Sequence, residues 1–229
     1  MAKLTWLGHS AFLLEGKDRV LLDPFLTGNP VAKTRASDVR ANVVLVTHGH
    51  GDHVGDTVDI AKNNKATVAS IYELAVRFEA KGAKTEPLNI GGGVRISDTH
   101  VKMVNALHSS DVFEGENLQA GGNPAGFVIS SGVTVYHAGD TGYFGDMKWI
   151  GEFHKPKIAI LPIGDRYTMG VKEAAYAASV IAPEIVIPMH YNTFKLIEQN
   201  SEEFTSEVKK QSNGKVKARI MKVGETIEI

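Results

Sequence analysis

Thr47-His48-Gly49-His50-Gly51-Asp52-His53-Val54 is where this 229-residue sequence concentrates groups that can do chemistry. Three imidazoles and a carboxylate occupy His48, His50, Asp52 and His53. Nitrogen and oxygen donors of this kind suit Zn, Mn, Fe or Ni. Histidines at i and i+2 in a turn can share one ion, and the Asp and His that follow point elsewhere and can hold a second. The bland alternatives are a solvated His-rich loop or a purification-tag type of run. The apolar run Asn42-Val43-Val44-Leu45-Val46 before the cluster, and the lack of consecutive histidines, argue against both. That run reads as a buried strand. The cluster therefore lies in a loop at the end of a strand, where α/β proteins place their chemistry.

One loop does not supply all the ligands a metal cluster needs, so other strand ends matter. His108 follows Val101-Lys102-Met103-Val104-Asn105-Ala106-Leu107, Asp140 follows Val133-Thr134-Val135-Tyr136-His137-Ala138-Gly139, and His190 follows Ile185-Val186-Ile187-Pro188-Met189. Each can converge on the same sheet edge. Taken singly, a His after a strand is usually a loop residue, and a Gly-Asp-Thr turn an Asx-type turn or a helix cap. The first cluster requires partners, and these three fit. Elsewhere, His137 lies inside a strand pattern and reads as a satisfied core residue, whereas His100 and His154 read as surface loop histidines. Thr168 and Met169 follow a strand and are candidates to shape a pocket, and Arg166 is a candidate contact for an anionic substrate.

The elements that must position these residues are short. Leu4–Leu7, Ala11–Glu15 and Arg19–Asp23 read as strands, with Gly16-Lys17-Asp18 as a hairpin turn. Asp56–Asn63 and Ile71–Lys81 read as helices around a strand at Thr67–Ala69. Val94–Ile96, Val101–Val104, Phe127–Ile129 and Val133–Tyr136 read as strands, and the polar stretch Ser109–Ala120 as a mobile loop. The second half alternates: strands at Ile158–Leu161 and Ile185–Pro188, helices at Val171–Ile181 and Glu202–Gln211, and closing strands at Val216–Ile220 and Thr226–Ile229. No repeat, low-complexity tract or linker interrupts the pattern. One α/β domain over residues 1–229 is the simplest expectation, with two β-layers covered by helices.

Composition narrows the function classes. Hydrophobic residues make up 43% and charged residues 22%, ordinary values for a chain able to bury a sizeable core. The net charge is −1 and no basic block stands out, so dedicated nucleic-acid binding is not expected. The chain has no cysteine, which excludes disulfides and thiolate metal sites. Met1-Ala2-Lys3-Leu4-Thr5-Trp6 does not resemble a signal peptide, and no apolar run approaches the roughly 20 residues needed to cross a bilayer. The expectation is a cytoplasmic protein with a small-molecule substrate and no membrane span; homo-oligomer formation stays open.

In order and approximate spacing, His48-x-His50-x-Asp52-His53, His108, Asp140 in Gly139-Asp140-Thr141, and His190 resemble the metallo-β-lactamase superfamily over nearly the whole chain. Trp6-Leu7-Gly8-His9-Ser10-Ala11-Phe12, Leu22-Asp23-Pro24, Leu161-Pro162-Ile163-Gly164, Tyr167-Thr168-Met169-Gly170 and Pro188-Met189-His190-Tyr191-Asn192 narrow the resemblance. They are similar to a branch of small metal-dependent hydrolases related to the ascorbate-phosphate lactonases and to the N-acyl-phosphatidylethanolamine phospholipase D group. The resemblance implies an αβ/βα four-layer sandwich, two mixed β-sheets flanked by helices, with two divalent metal ions at its edge. Zinc is the first expectation, with Mn, Ni or Fe as alternatives. By that match, one ion takes His48, His50 and His108, the other takes Asp52, His53 and His190, and Asp140 bridges them.

Two metals can lower the pKa of a shared water to give hydroxide near neutral pH and can polarise the bond under attack. The expected activity is cleavage of an ester, lactone or phosphodiester by that hydroxide, without a covalent enzyme intermediate and with Asp52 orienting the nucleophile. His9 matches the branch-specific motif and is read either as a pocket group, a proton donor or substrate contact, or as a structural residue of a strand turn. Asp23 either accepts a hydrogen bond from a metal-ligating imidazole or begins a turn before Pro24. Two other readings stand beside the hydrolase. An iron-dependent oxidoreductase can use the same fold, although its flavin-coupled type resembles a pattern with Glu where this chain has His50 and usually carries a further flavin domain. A non-catalytic binding protein would be expected to have lost ligands, and none is lost here.

Overall fold

The computed structural model describes residues 2–229; Met1, the first residue of the N-terminal reading above, lies outside them. The first half of the chain runs β1 (Lys3–Gly8), β2 (Ala11–Glu15), β3 (Arg19–Leu22), β4 (Val43–Leu45), α1 (Gly51–Val54), α2 (Thr57–Asn64), β5 (Thr67–Ile71), α3 (Tyr72–Ala80) and β6 (Lys84–Leu88). The second half runs β7 (Gly93–Ile96), β8 (Thr99–Asn105), β9 (Val112–Glu114), β10 (Asn117–Gln119), β11 (Ala125–Ser130), β12 (Thr134–His137), α4 (Asp146–Trp149), β13 (Ile158–Pro162), α5 (Val171–Ile181), β14 (Ile185–Met189), α6 (Ser201–Gln211), β15 (Lys217–Ala218) and β16 (Thr226–Glu228).

Two seven-stranded mixed sheets result, ordered β16-β1-β2-β3-β4-β5-β6 and β15-β14-β13-β12-β11-β8-β7. Each is antiparallel on one side and parallel on the other. The parallel strands β4, β5 and β13 are buried along their whole length, as the continuous apolar runs Val43-Val44-Leu45 and Ile158-Ala159-Ile160-Leu161 require. Helices flank both sheets, giving the expected αβ/βα sandwich, and one buried apolar cluster draws on both sheets. In α5, Val171, Ala174, Ala175, Ala178 and Ile181 recur at helical spacing and are buried. Helix α6 starts where the Asn200 side chain accepts from the Glu202 and Glu203 amides; its acidic first turn and basic last turn suit the helix dipole. No helix of the described residues is long and apolar enough to cross a membrane.

Several elements differ from the sequence reading. Strand β6 was not expected: Lys84-Thr85-Glu86-Pro87-Leu88 is polar and carries a proline, which an edge strand tolerates. The stretch Ser109–Ala120 is not a plain loop but holds the β9–β10 hairpin. Its facing residues Phe113 and Leu118 are both exposed, so no core face imposes a readable pattern. Arg77 ties this hairpin down by pairing with Glu114 and donating to the Ala120 carbonyl. The expected closing strand over 216–220 shrinks to the two residues of β15, and α4 continues into a π-helical turn over Ile150–His154.

A buried carboxylate joins the sheets away from the site. Asp18, in the β2–β3 turn, accepts from Asn42 Nδ2 at 2.6 Å, Thr99 Oγ1 at 2.7 Å and the Asp98 amide at 3.0 Å. Burial works against its charge, but the Thr99 and Asn42 hydrogen bonds prevail and hold its pKa below the usual 3.8. Asp18→Ala is expected to cost about 3 kcal/mol near neutral pH, because three donors lose a charged acceptor. A group whose pKa is lowered by folding stabilises above its unfolded pKa and loses that contribution as pH falls through the folded value. Thermal melts of the two proteins should therefore differ near pH 7 and converge on acidification below the usual Asp range; an equal gap at both pH values would contradict this account.

Candidate metal centre

The site residues come from strand ends that share a direction. In the first sheet β1, β3 and β4 run the same way, and their C-terminal ends lead into His9, Asp23 and the His48–His53 segment. In the second sheet β8, β12 and β14 run the same way, and they lead into His108, Asp140 and His190. Two backbone hydrogen bonds close the seam between the sheets here: His190 N to His9 O at 3.2 Å and Ala125 N to Thr47 O at 3.0 Å. His9, Asp23 and His190 hold positive φ values of 54°, 41° and 54°. Such conformations are uncommon for residues other than Gly and concentrate at functional sites. Gly49 is needed for closeness rather than for φ, since a Cβ there would come within 2.7 Å of the Ser110 carbonyl and of Val112.

The structure brings all seven candidate ligands together. His48, His50 and His108 form one set whose ligand atoms all lie within 4.8 Å of one another. Asp52, His53 and His190 form a second set, with His9. Asp140 lies between them: its Oδ2 is 2.9 Å from His190 Nε2, 3.3 Å from His53 Nε2 and 3.7 Å from His108 Nε2. The four-residue helix α1 starts at its cap, His50, so that Asp52 and His53 leave the backbone in new directions. No sequence signal marked this short helix.

The remaining polar atoms fix which nitrogens are free. Asp23 is fully buried and accepts from the Thr47 amide at 2.8 Å, Thr47 Oγ1 at 2.7 Å and His53 Nδ1 at 2.8 Å. With its hydroxyl proton given to Asp23, Thr47 Oγ1 accepts from His48 Nδ1 at 3.0 Å. Both rings thereby turn Nε2 toward the cluster, where His48 Nε2 meets His50 Nδ1 at 3.0 Å; this is the orientation that outer carboxylates give metal-bound histidines. Of the two readings open for Asp23, the bond to an imidazole is present.

His9 is completely buried and does not line the cavity described below. Its Nε2 is 3.1 Å from Asp52 Oδ2 and its Nδ1 is 2.9 Å from Thr193 Oγ1. Burial lowers its pKa to about 4, so the ring is neutral at physiological pH. Asp52 can only accept, because the His9 hydrogen bond and the nearby His53 charge overcome burial and hold its carboxyl ionised. The proton therefore sits on His9 Nε2, and the Thr193 hydroxyl donates to Nδ1. Thr193 was not singled out in the sequence, since it meets His9 from 184 positions away.

Burial lowers the pKa of His48 strongly and those of His50 and His108 as well, which keeps these rings neutral and able to ligate. For His53, burial opposes the imidazolium, but the Asp140 and Asp23 charges outweigh it and raise the pKa well above the usual value. Asp140 is held well below the usual carboxylate range against its burial by His190 and His53. His53 Nε2 and Asp140 Oδ1 are buried without a hydrogen-bond partner. Unpaired buried polar atoms among converging imidazoles and a carboxylate, in a set with no sulfur, fit divalent transition-metal ions, which take the place of the protons on such rings.

A cavity of about 550 Å³ opens over the cluster. His50, Asp52, His108, Asp140 and His190 form its floor, while Tyr167, Phe194, Leu196 and Ile197 form much of its wall. Ser109 also faces it, with Oγ 3.3 Å from His50 Nε2. Met169 is buried and neither it nor Thr168 reaches the cavity; the Met169 amide instead bonds to the Thr141 carbonyl at 3.0 Å, beside Asp140. Arg166 is also off the wall, its guanidinium 5.7 Å from the Tyr167 ring centre. His137 is a core residue with partners on both nitrogens: Nε2 donates to the Ser10 carbonyl and Nδ1 accepts from the Gly139 amide. His154 is half-buried at the end of the π-helical turn, not on a surface loop, and its Nε2 has no partner.

Two mixed sheets with helices outside, carrying a seven-residue His/Asp cluster at one edge, define a metallo-hydrolase of the metallo-β-lactamase fold. The description "Beta-lactamase superfamily domain" matches residues 3–190. A UPF0173 metal-dependent hydrolase of Archaeoglobus fulgidus is 49% identical over 228 residues, covering 99% of this chain and 98% of the relative. A UPF0173 metal-dependent hydrolase of Methanosarcina barkeri is 47% identical over the same length and coverage. Among solved structures, Igni18, a metallo hydrolase from Ignicoccus hospitalis, superposes with a TM-score of 0.88 at 39% identity, covering 99% of this chain and 97% of that one. The chain belongs to the beta-lactamase superfamily, within the UPF0173 metal-dependent hydrolases. The narrower link to the ascorbate-phosphate lactonases stays an expectation.

Proposed function

We propose that residues 1–229 form one hydrolase domain whose site holds two divalent metal ions and cleaves an ester, lactone or phosphodiester bond. One ion takes His48, His50 and His108; the other takes Asp52, His53 and His190; Asp140 is shared. The observation that carries this reading is the position of Asp140 Oδ2, within 3.7 Å of imidazole nitrogens from both sets. Zinc suits the majority of histidine nitrogens, and Mn, Ni and Fe suit the same donors. When bound, such a pair supplies Lewis acidity and acidifies water near neutral pH.

The chain's own residues do the rest. Asp23 and Thr47 lock the His48 and His53 tautomers. Thr193 and His9 aim the Asp52 carboxylate, whose side chain is 33% exposed and faces the cavity. His9 is thus a positioning residue in this reading, with Asp52 the carboxylate that meets substrate and water. Thr193→Val removes the donor that sets the His9 tautomer. We expect a fall in kcat of about tenfold, the lower end of effects of groups that orient ligands, with KM little changed.

The test is metal titration of the metal-stripped protein, with bound metal counted by plasma emission and hydrolysis followed on ester, lactone and phosphodiester panels. Two ions per chain and activity that a chelator abolishes are expected. One ion at saturation would overturn the dinuclear assignment. A loaded protein inactive on all three bond types would overturn the proposed activity.

A further inference from the structure

The cavity over the cluster is chemically one-sided. Its floor is imidazole and carboxylate, while Tyr167, Phe194, Leu196 and Ile197 dominate the opposite wall. Among the described residues no lysine or arginine lines it. Arg166, next to Tyr167, lies against the Tyr167 ring, and Lys195, between Phe194 and Leu196, is exposed and is not among the lining residues. A substrate with an anionic tail would leave water here without a cationic side chain to pair with, which is costly.

The wall is also held in place. Phe194 is 42% and Leu196 57% exposed, although both are large and apolar. They flank and enter the 3-10 turn Lys195–Ile197. That turn is anchored by the buried Ile197, whose carbonyl accepts from the Asn192 amide at 3.0 Å, and by the Gln199 amide donating to Asn192 Oδ1 at 2.8 Å. Apolar side chains kept at a cavity mouth by such a turn offer surface that a bound apolar group covers.

We propose that the substrate is an uncharged carboxylic ester or lactone whose acyl side carries an apolar chain or ring, and that Phe194, Leu196 and Tyr167 hold that side. This rests on the hydrolase reading above and narrows it. In the reaction the oxygen of water bonds to the acyl carbon and the acyl C–O bond breaks. One water proton goes to the departing alcohol oxygen and the other to solvent, so that ester and water give carboxylate, alcohol and a proton.

The metal-loaded protein is assayed with p-nitrophenyl acetate, butanoate and hexanoate, and with the matched pair of p-nitrophenyl pentanoate and the mono-p-nitrophenyl ester of glutarate. Each buried methylene is worth up to about fourfold in binding. We expect kcat/KM to rise at least tenfold from acetate to hexanoate, and pentanoate to exceed its carboxylate-tailed partner by a similar factor. Leu196→Asp, at an exposed position on which the fold does not depend, should reduce the hexanoate-to-acetate ratio at least fivefold. Binding of decan-2-one, an ester-shaped ketone that cannot be hydrolysed, is followed by calorimetry and should weaken about tenfold in the same variant. A flat chain-length series, equal rates for pentanoate and the glutarate ester, or unchanged decan-2-one binding in Leu196→Asp would overturn the proposal. If neither these esters nor the lactone and phosphodiester panels are cleaved while decan-2-one still binds and Leu196→Asp still weakens it, the proposed activity falls and the apolar recognition wall stands.

Discussion

Asp140→Asn is expected to lower hydrolysis on the order of a thousandfold and to reduce bound metal well below two ions per chain. The side chain is almost fully buried, so the substitution keeps volume and removes charge. Its Oδ2 is the atom nearest to His190, His53 and His108 together. An amide cannot balance the charge of two divalent ions, and loss of shared Lewis acidity costs several kcal/mol of transition-state stabilisation, each 1.36 kcal/mol being tenfold in rate. The measurements are kcat/KM and metal content on the same sample, with circular dichroism to show that the fold persists. A variant that keeps two ions and loses less than tenfold in rate would show that Asp140 does not bridge.

Asp23→Ala should act on both stability and activity, without touching substrate or metal. Three donors, the Thr47 amide, the Thr47 hydroxyl and His53 Nδ1, lose their acceptor in a fully buried place. An unpaired buried donor costs about 1–3 kcal/mol, so a loss of about 4 kcal/mol is expected. For a chain of this size that is a fall in melting temperature of roughly 10 °C. Activity should drop by about 10–100-fold, the usual effect of losing a carboxylate behind a metal-binding histidine. Asp23→Asn, which keeps one acceptor oxygen, should recover part of the stability and less of the activity. Equal melting and equal rates in Asp23→Ala would show that the tautomers of His48 and His53 are set by something else.

The ligands were legible because each follows a strand that is buried and apolar. Val43-Val44-Leu45 before His48, Val133-Thr134-Val135-Tyr136 before Asp140 and Ile185-Val186-Ile187 before His190 all announce themselves by composition, and all become strands with the ligand just past the end. What supports the ligands was harder to see. Asp23 could be weighed, since it closes a strand. Thr193 could not, because what joins it to His9 is a hydrogen bond across the seam between the sheets. The cavity wall was also hidden. Phe194 and Leu196 flank and enter a short turn and stay largely in solvent, so no periodicity marks them. Strand β6 and the β9–β10 hairpin escaped for the same reason: edge and tip positions carry polar or unburied side chains, and the pattern of a half-buried strand is absent.

The seam itself has a consequence for assembly of the molecule. His48, His50, Asp52 and His53 are delivered by one sheet, and His108, Asp140 and His190 by the other. Each proposed ion draws ligands from both sheets, so neither half alone offers a complete site. Metal is then a staple as well as a reagent: it rewards only chains whose two halves have docked. An ion present at a hundred times its dissociation constant adds about 2.7 kcal/mol to the folded state. Chelation should thus loosen the junction between the sheets first, and amide exchange should quicken at His9, Thr47, Ala125 and His190 before it does in the outer helices.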